Sequence, residues 1–268
     1  MEFDTDTWMI ERRKHAYIGE SIGKPQYFKI WDDIAAHYEE SRSRPIRIDI
    51  VNKMIERGVV KPGIDVMDVG CGPGTYSELF AEKCKNVFCV DSSQNMLDCL
   101  AKKNLSNVSF VKTEWETYES DEKYDLVFSS LCPAVKDPET VLKMESFSKR
   151  FCADVSFVID GSISLRNKVW MAIGREPHAS YWYDIRFPYE LLKRSGRKPT
   201  LDIFERKDPF DIEKEKVIKS ELENLSYYME IDKDIREKVE KTVEENSVNG
   251  MVHFEGKSRL GLICWEIP

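Results

Sequence analysis

The sequence predicts an α/β fold: a parallel sheet with helices on both faces. Three observations carry this. Short apolar runs alternate with amphipathic stretches from Ile64 to about residue 160, the runs lack the every-second-residue polarity of half-exposed strands, and the first ends directly in a glycine-rich loop. Strands buried on both sides lose that alternation because both sets of side chains meet an apolar layer.

The elements follow in order. Tyr27, Trp31, Ile34, Ala35 and Tyr38 recur at helical spacing and predict an N-terminal helix with an aromatic side. A second helix has Pro45 in its first turn, Ile50, Val51, Met54 and Ile55 on its inner stripe and Gly58 at its stop. Strands are read at 64–69, 87–91, 108–111, 124–131 and 154–160, with helices between them at about 75–84, 93–103 and 138–151. Asp137 caps the last of these helices, with Pro138 in its first turn. This is a Rossmann-like sheet.

Beyond Gly161 the rhythm breaks. Aromatic residues crowd positions 181–189 next to His178, a strand is read at 200–206, charged helical sequence runs from about 213 to 246, and "RLGLICWEI" (259–267) ends the chain as a strand. One domain over 1–268 is expected, with an N-terminal helical lid (1–60), a core (61–162) and a helical cap from insertions at 163–188 and 208–255. The insertions are placed over the ligand cleft because loops on a rigid scaffold carry specificity.

Composition narrows the function classes. A formal net charge of −8 disfavours a broad nucleic-acid footprint, and no apolar run reaches the ~18 residues of a membrane span. Seven cysteines without a CxxC pair predict free thiols and no structural zinc, which suits a reducing, cytoplasmic setting; the acidic start lacks a secretory pattern. No metal site is expected.

The loop "DVGCGPGT" (68–75) places Gly70, Gly72 and Gly74 after the first strand. Thr75 stands where a dinucleotide GxGxxG would have its third glycine, and the GK[ST] of a phosphate-gripping loop is missing, so both phosphate readings weaken. Asp91, twenty-one residues beyond Gly70, ends the second strand, where a carboxylate can accept both hydroxyls of a ribose. Loop and acid together imply an adenosine ligand.

"VMDVGCGPGTYS", "VFCVDSSQNML", "VSFVKTEWE" and "YDLVFSSL", in that order, resemble the nucleotide half of the class I S-adenosylmethionine-dependent methyltransferases; the similarity spans roughly residues 27–160 and includes "WDDIAAHYEES". The resemblance implies a Rossmann-like seven-stranded sheet whose last strand, RLGLICWEI, is inserted antiparallel. It implies S-adenosyl-L-methionine as cofactor, with Gly70, Cys71, Gly72 and Gly74 near the methionine part and Asp68 bracing the loop. It further implies Asp91 on the ribose, Ser92 and Met96 flanking the adenine, Glu114 and the Trp115 backbone at the adenine edge, Ser129 and Ser130 beside the sulfonium, and Tyr38 closing the cleft. Glu114 departs from the Asp usual at its position.

Methyl transfer from a sulfonium is a direct displacement, so alignment of the acceptor matters more than covalent machinery, and no general base can be named from the sequence. Acceptor-side candidates are Ser130, Cys132, His178, Tyr181 and Trp182. For Cys132, a lone cysteine with no base at hand, packing is the favoured explanation; for the aromatic cluster beside His178 packing on the sheet and an acceptor pocket weigh equally, while His15, His37 and His253 are read as structural or exposed. The reading is transfer of a methyl group to a small-molecule acceptor, without nucleic-acid or membrane partners. A protein methyltransferase, a non-catalytic S-adenosylmethionine-binding module and a nicotinamide oxidoreductase are the alternatives.

Overall fold

The computed structural model describes residues 24–35, 38, 44–135, 137–158, 164–175 and 184–268. In chain order the elements are α1 (Lys24–Ile34), α2 (Arg44–Glu56), β1 (Asp65–Val69), α3 (Ser77–Ala81), β2 (Asn86–Asp91), α4 (Gln94–Lys102), β3 (Val108–Lys112), β4 (Tyr124–Ser130), α5 (Pro138–Ser146) and β5 (Ser148–Phe157). They continue with α6 (Leu165–Ala172), α7 (Arg186–Arg194), β6 (Thr200–Lys207), β7 (Phe210–Glu213), α8 (Lys214–Ser226), α9 (Lys233–Glu245), β8 (Ser247–Val248), β9 (Met251–Phe254) and β10 (Lys257–Glu266).

Seven strands form one sheet in the order β3-β2-β1-β4-β5-β10-β6. The pairs among β1 to β5 are parallel, whereas β10 runs antiparallel to both β5 and β6. The inserted antiparallel strand is thus RLGLICWEI, as the sequence predicts. The order reverses between β2-β1 and β1-β4, and a sheet of this class opens its ligand crevice at such a reversal.

Local signals explain most element ends. Asp137 and Thr140 form a reciprocal capping box at α5 with Pro138 in the first turn. Ser93 caps α4 by accepting the Met96 N–H. Gly58, at φ +70°, lets the chain leave α2, and its N–H donates to the Ile55 carbonyl at 2.9 Å. Ile46, Ile50, Val51 and Met54 are buried on α2, but Ile55 is 38% exposed and so lies off the expected inner stripe.

Two apolar layers sandwich the large sheet. One holds Phe80, Leu100, Phe128 and Leu262, the other Val69, Trp115, Met144 and Trp265. The helix read at 138–151 ends at 146, and 148–157 is strand. Pairing of 151–155 with β4 on one side and β10 on the other satisfies the backbone of the strand's centre, which outweighs the helical pattern there.

The sequence around 208–255 yields more strand than its charge pattern suggests. β7, β9 and β8 form a separate antiparallel sheet, with Asn249 (φ +52°) and Gly250 (φ +77°) at the β8–β9 turn. These strands are short and partly exposed, so helix-like charge periodicity on either side masks them. With α6, α8 and α9 they enclose a third apolar cluster of Val169, Trp170, Val217, Leu225, Val239, Val243 and Val252. Segments from both sequence insertions thereby share one core.

Candidate functional site

The glycine loop is built from the end of β1. Gly70 and Cys71 both donate their N–H to the Val90 carbonyl, at 2.8 and 3.2 Å, which folds the loop over the end of β2. Gly70, Gly72 and Gly74 all have positive φ, a region that penalises side chains. Their surroundings differ. A Cβ at Gly70 would lie 2.3 Å from Cys132 Sγ and one at Gly74 2.3 Å from Leu100 Cδ1, so these two glycines permit close packing. A Cβ at Gly72 would meet nothing nearer than Met96 Sδ at 3.9 Å, so the bare backbone there faces open space.

Asp91 ends β2 half-buried. Its Oδ2 accepts the Gly72 N–H and its Oδ1 the Ser93 N–H, both at 2.8 Å. Burial pushes its acid up, opposed by those backbone N–H groups, while the neighbouring Asp32 carboxylate raises it further. Asp68, fully buried beneath the loop, accepts the Ser77 hydroxyl at 2.6 Å. Burial raises its acid to about 7, the Ser77 hydroxyl opposes the change, and Asp91 adds to it.

The N-terminal helix docks on this edge. Asp32 of α1 accepts the Ser93 hydroxyl and the Asn95 N–H, and Asn95 Nδ2 donates to the Asp32 carbonyl at 3.1 Å. Trp31 and Tyr38 rings meet edge-on at 6.4 Å. On the far side Tyr227, just after α8, donates to Asp33 Oδ2 at 3.5 Å.

A cleft open to solvent lies over the loop. Of the residues singled out in the sequence it brings together Tyr38, Asp68, Gly70, Cys71, Gly72 and Ser130. Strand alternation turns Ser129 to the opposite face of β4, where it is buried and its hydroxyl finds no partner among the described residues. Met96 is buried beside Gly72, Ser92 is half-buried at the start of α4, and Glu114 is half-buried just before the turn at Trp115.

Trp115 sits in the core rather than at the cleft: its ring packs with Phe147, its Nε1 donates to the Thr140 carbonyl, and its own carbonyl accepts from Lys143 at 2.9 Å. Gly74 likewise serves α4 packing. Cys132 is buried against Gly70, and burial pushes its thiol to about 12, opposed by the Ala134 and Val135 N–H groups and reinforced by Asp91 and Asp154. At neutral pH it is a protonated packing group behind Gly70 and has no thiolate for nucleophilic attack. His178, Tyr181 and Trp182 lie outside the described residues, as do His15 and His37. His253 is exposed and pairs with Asp211 at 2.9 Å in the small sheet.

The cleft also contains residues the sequence reading passed over: Arg47, Thr75, Tyr76 and Leu131. Leu131 is a non-glycine residue at φ +50° directly after β4. Such backbone costs of order 1 kcal/mol or more and clusters at functional sites. No sequence signal marks it, since leucine ordinarily avoids that region. All seven cysteines are free. Among the described residues no cluster suited to a metal ion is found, and no helix is long and apolar enough to cross a membrane.

A seven-stranded sheet with one inserted antiparallel strand, a glycine loop after β1 and an acid ending β2 together define an adenosine-binding α/β domain. Residues 66–147 carry a methyltransferase domain of the class I S-adenosylmethionine-dependent type: they match the family model described as a methyltransferase domain. The chain is 31% identical over 145 residues to an uncharacterized protein of Haemophilus influenzae, covering 50% of this chain and 49% of that protein. Over 96 residues it is 34% identical to a trans-aconitate 2-methyltransferase of Rhizobium rhizogenes, covering 35% of each. The matches therefore span a third to a half of these relatives' length. The fold resembles that of the plantazolicin methyltransferase BpumL solved in complex with SAH, with a TM-score of 0.54, 13% identity and 98% of each chain covered.

The site's chemistry fits that cofactor. Asp91 is an acceptor-only group whose two oxygens each hold one N–H and keep further lone pairs, as a ribose diol requires. Gly72 leaves the backbone open to close approach.

Proposed function

We propose that the protein transfers a methyl group from S-adenosylmethionine to a small-molecule acceptor. The observation that carries the reading is the coupling of Asp91 to Gly72 N at 2.8 Å, which locks the sugar-binding acid and the bare loop into one unit beside the cleft. The glycine loop, Asp68 and Ser130 line that cleft together. The likeness of residues in the core to a trans-aconitate 2-methyltransferase supports a small acceptor.

When bound, the cofactor supplies an electrophilic methyl group on a sulfonium. The protein's own task is alignment and desolvation. Asp91 would accept hydrogen bonds from the sugar hydroxyls, Gly72 would permit contact with the ligand, and Asp68 holds the loop through Ser77. Tyr38 roofs the cleft from the N-terminal segment and Ser130 lines its β4 end.

Incubation with methyl-labelled S-adenosylmethionine and a cell extract, followed by separation of small molecules from proteins, tests this. Label in the small-molecule fraction is expected. Label confined to protein would make the acceptor a protein, and tight cofactor binding with no label in either fraction would favour a non-catalytic module.

A further inference from the structure

We propose that α1 is a strap that carries occupancy of the ribose acid to the cap: Asp32 fastens it beside Asp91, and Asp33, the next residue, reaches Tyr227 of the cap. The inference rests on the methyltransferase reading for the sugar that Asp91 receives. It goes beyond that reading by coupling the sugar site to the segment around 208–255.

Apolar packing holds α1 loosely. Of residues 29–35 only Ala35 is fully buried, whereas Ile30, Trp31 and Ile34 are half-buried. An element with so little buried apolar surface opens at low free-energy cost, so the polar contacts it makes decide where it rests.

Three of those contacts meet at the start of α4. Asp32 Oδ1 accepts the Ser93 hydroxyl and, at 3.3 Å, the Asn95 N–H, while the Asp32 carbonyl accepts Asn95 Nδ2 at 3.1 Å. Asp32 thus caps α4 from another helix, satisfying an N–H that no carbonyl within α4 can reach. Further along α4, Cys99 Sγ donates to the Ala35 carbonyl at 3.9 Å, so the chain leaving α1 lies against the same helix.

Ser93 joins the strap to the ribose acid. Its N–H donates to Asp91 Oδ1 at 2.8 Å, and its hydroxyl, which donates to Asp32, accepts the Met96 N–H at 3.1 Å. The Asp32 carboxylate raises the acid of Asp91, so the two negative charges repel across Ser93. Sugar hydroxyls donating to Asp91 would draw its charge away from Asp32 and hold Ser93 in place, which favours the docked strap.

The other end reaches the cap. Asp33 Oδ2 accepts from the Tyr227 hydroxyl at 3.5 Å, and Tyr227 lies two residues beyond Leu225, which is fully buried in the third apolar cluster. Consecutive helical residues point about 100° apart, which lets one short helix touch two separate elements. The strap also sets the roof of the cleft, since Trp31 meets the Tyr38 ring edge-on at 6.4 Å and Tyr38 lines the cleft.

Hydrogen exchange read by mass spectrometry on the full chain, with and without saturating S-adenosylhomocysteine, tests the strap in the wild type, Asp32→Ala, Asp32→Asn and Tyr227→Phe. In the wild type the ligand should slow exchange about fivefold or more in both 24–34 and 220–228. Asp32→Ala should lose the slowing in both segments and, because coupling is reciprocal, bind S-adenosylhomocysteine about fivefold more weakly in calorimetry. Asp32→Asn keeps an oxygen for Ser93 and Asn95 and removes the repulsion, so both segments should be protected even without the ligand. Tyr227→Phe should keep the slowing in 24–34 and lose it in 220–228. Unchanged exchange in β1 and β4 shows that each variant is folded. Slowing confined to 24–34 in the wild type, or slowing in Asp32→Ala equal to that of the wild type, overturns the strap. Failure of the wild type to bind S-adenosylhomocysteine overturns the cofactor reading instead. The ligand-free proteins then still decide: faster exchange of both segments in Asp32→Ala than in the wild type supports the strap, and equal exchange overturns it.

Discussion

Asp68→Asn isolates what a buried acid under the glycine loop costs the fold. Raising the acid from its ordinary 3.8 to about 7 corresponds to about 4 kcal/mol. Asp68 is fully buried, so solvent does not screen this cost away. Below about pH 4 both folded and unfolded chains hold the proton and the residue is neutral in the balance. Between there and about 7 the unfolded chain releases the proton while the folded chain keeps it, so stability falls as pH rises, then levels off. Asparagine keeps an oxygen to accept the Ser77 hydroxyl and has no proton to release. The stability of Asp68→Asn relative to wild type should therefore grow by about 3 kcal/mol between about pH 5 and pH 8, a large part of the 5–15 kcal/mol typical of a whole domain. Urea unfolding of both proteins across that range measures it. Parallel stability curves would refute the argument, because they would mean Asp68 titrates alike folded and unfolded.

Other expectations follow from the same loop. Asp91→Ala removes the acceptor for the Gly72 and Ser93 N–H groups and should weaken S-adenosylhomocysteine at least tenfold in calorimetry, whereas Asp211→Ala in the small sheet should leave binding unchanged. Gly74→Ala drives a Cβ to 2.3 Å from Leu100 Cδ1 and should destabilise by roughly 2–4 kcal/mol, and the cost should be less than additive with Leu100→Ala in a double-mutant cycle of thermal unfolding. Gly72→Ala meets open space, so it should cost only about 1–2 kcal/mol of fold stability by denaturant titration while blocking the cofactor. Cys132, with its thiol held at about 12, should resist alkylation in the native protein at about pH 8, and mass spectrometry should show modification there only after unfolding.

The resemblance carried by the glycine loop and the strand after it extends to the cofactor class but leaves the acceptor open, and the comparisons narrow it no further than small molecules methylated by relatives of low identity.

Much of the core was legible in the sequence for a physical reason: strand burial, helix caps and glycine loops are written in residues close together in the chain. The apolar runs before Gly161, Asp137 with Pro138, and Gly70 to Gly74 followed by Asp91 all act over a turn or a single βα unit. Tertiary structure alone decided the rest. Whether a glycine packs or opens depends on what faces it, so Gly74 meets Leu100 while Gly72 meets the cleft. Ser130 rather than Ser129 reaches that cleft because the sheet's pleat, not the composition, assigns faces. Arg47 joins Ser130 across more than eighty residues, and Trp170 joins Leu225 in the third core, only because packing closes the chain on itself. Local pattern specifies which elements form, whereas long-range contacts, each opposed by chain entropy until neighbouring contacts support it, specify which side chains meet.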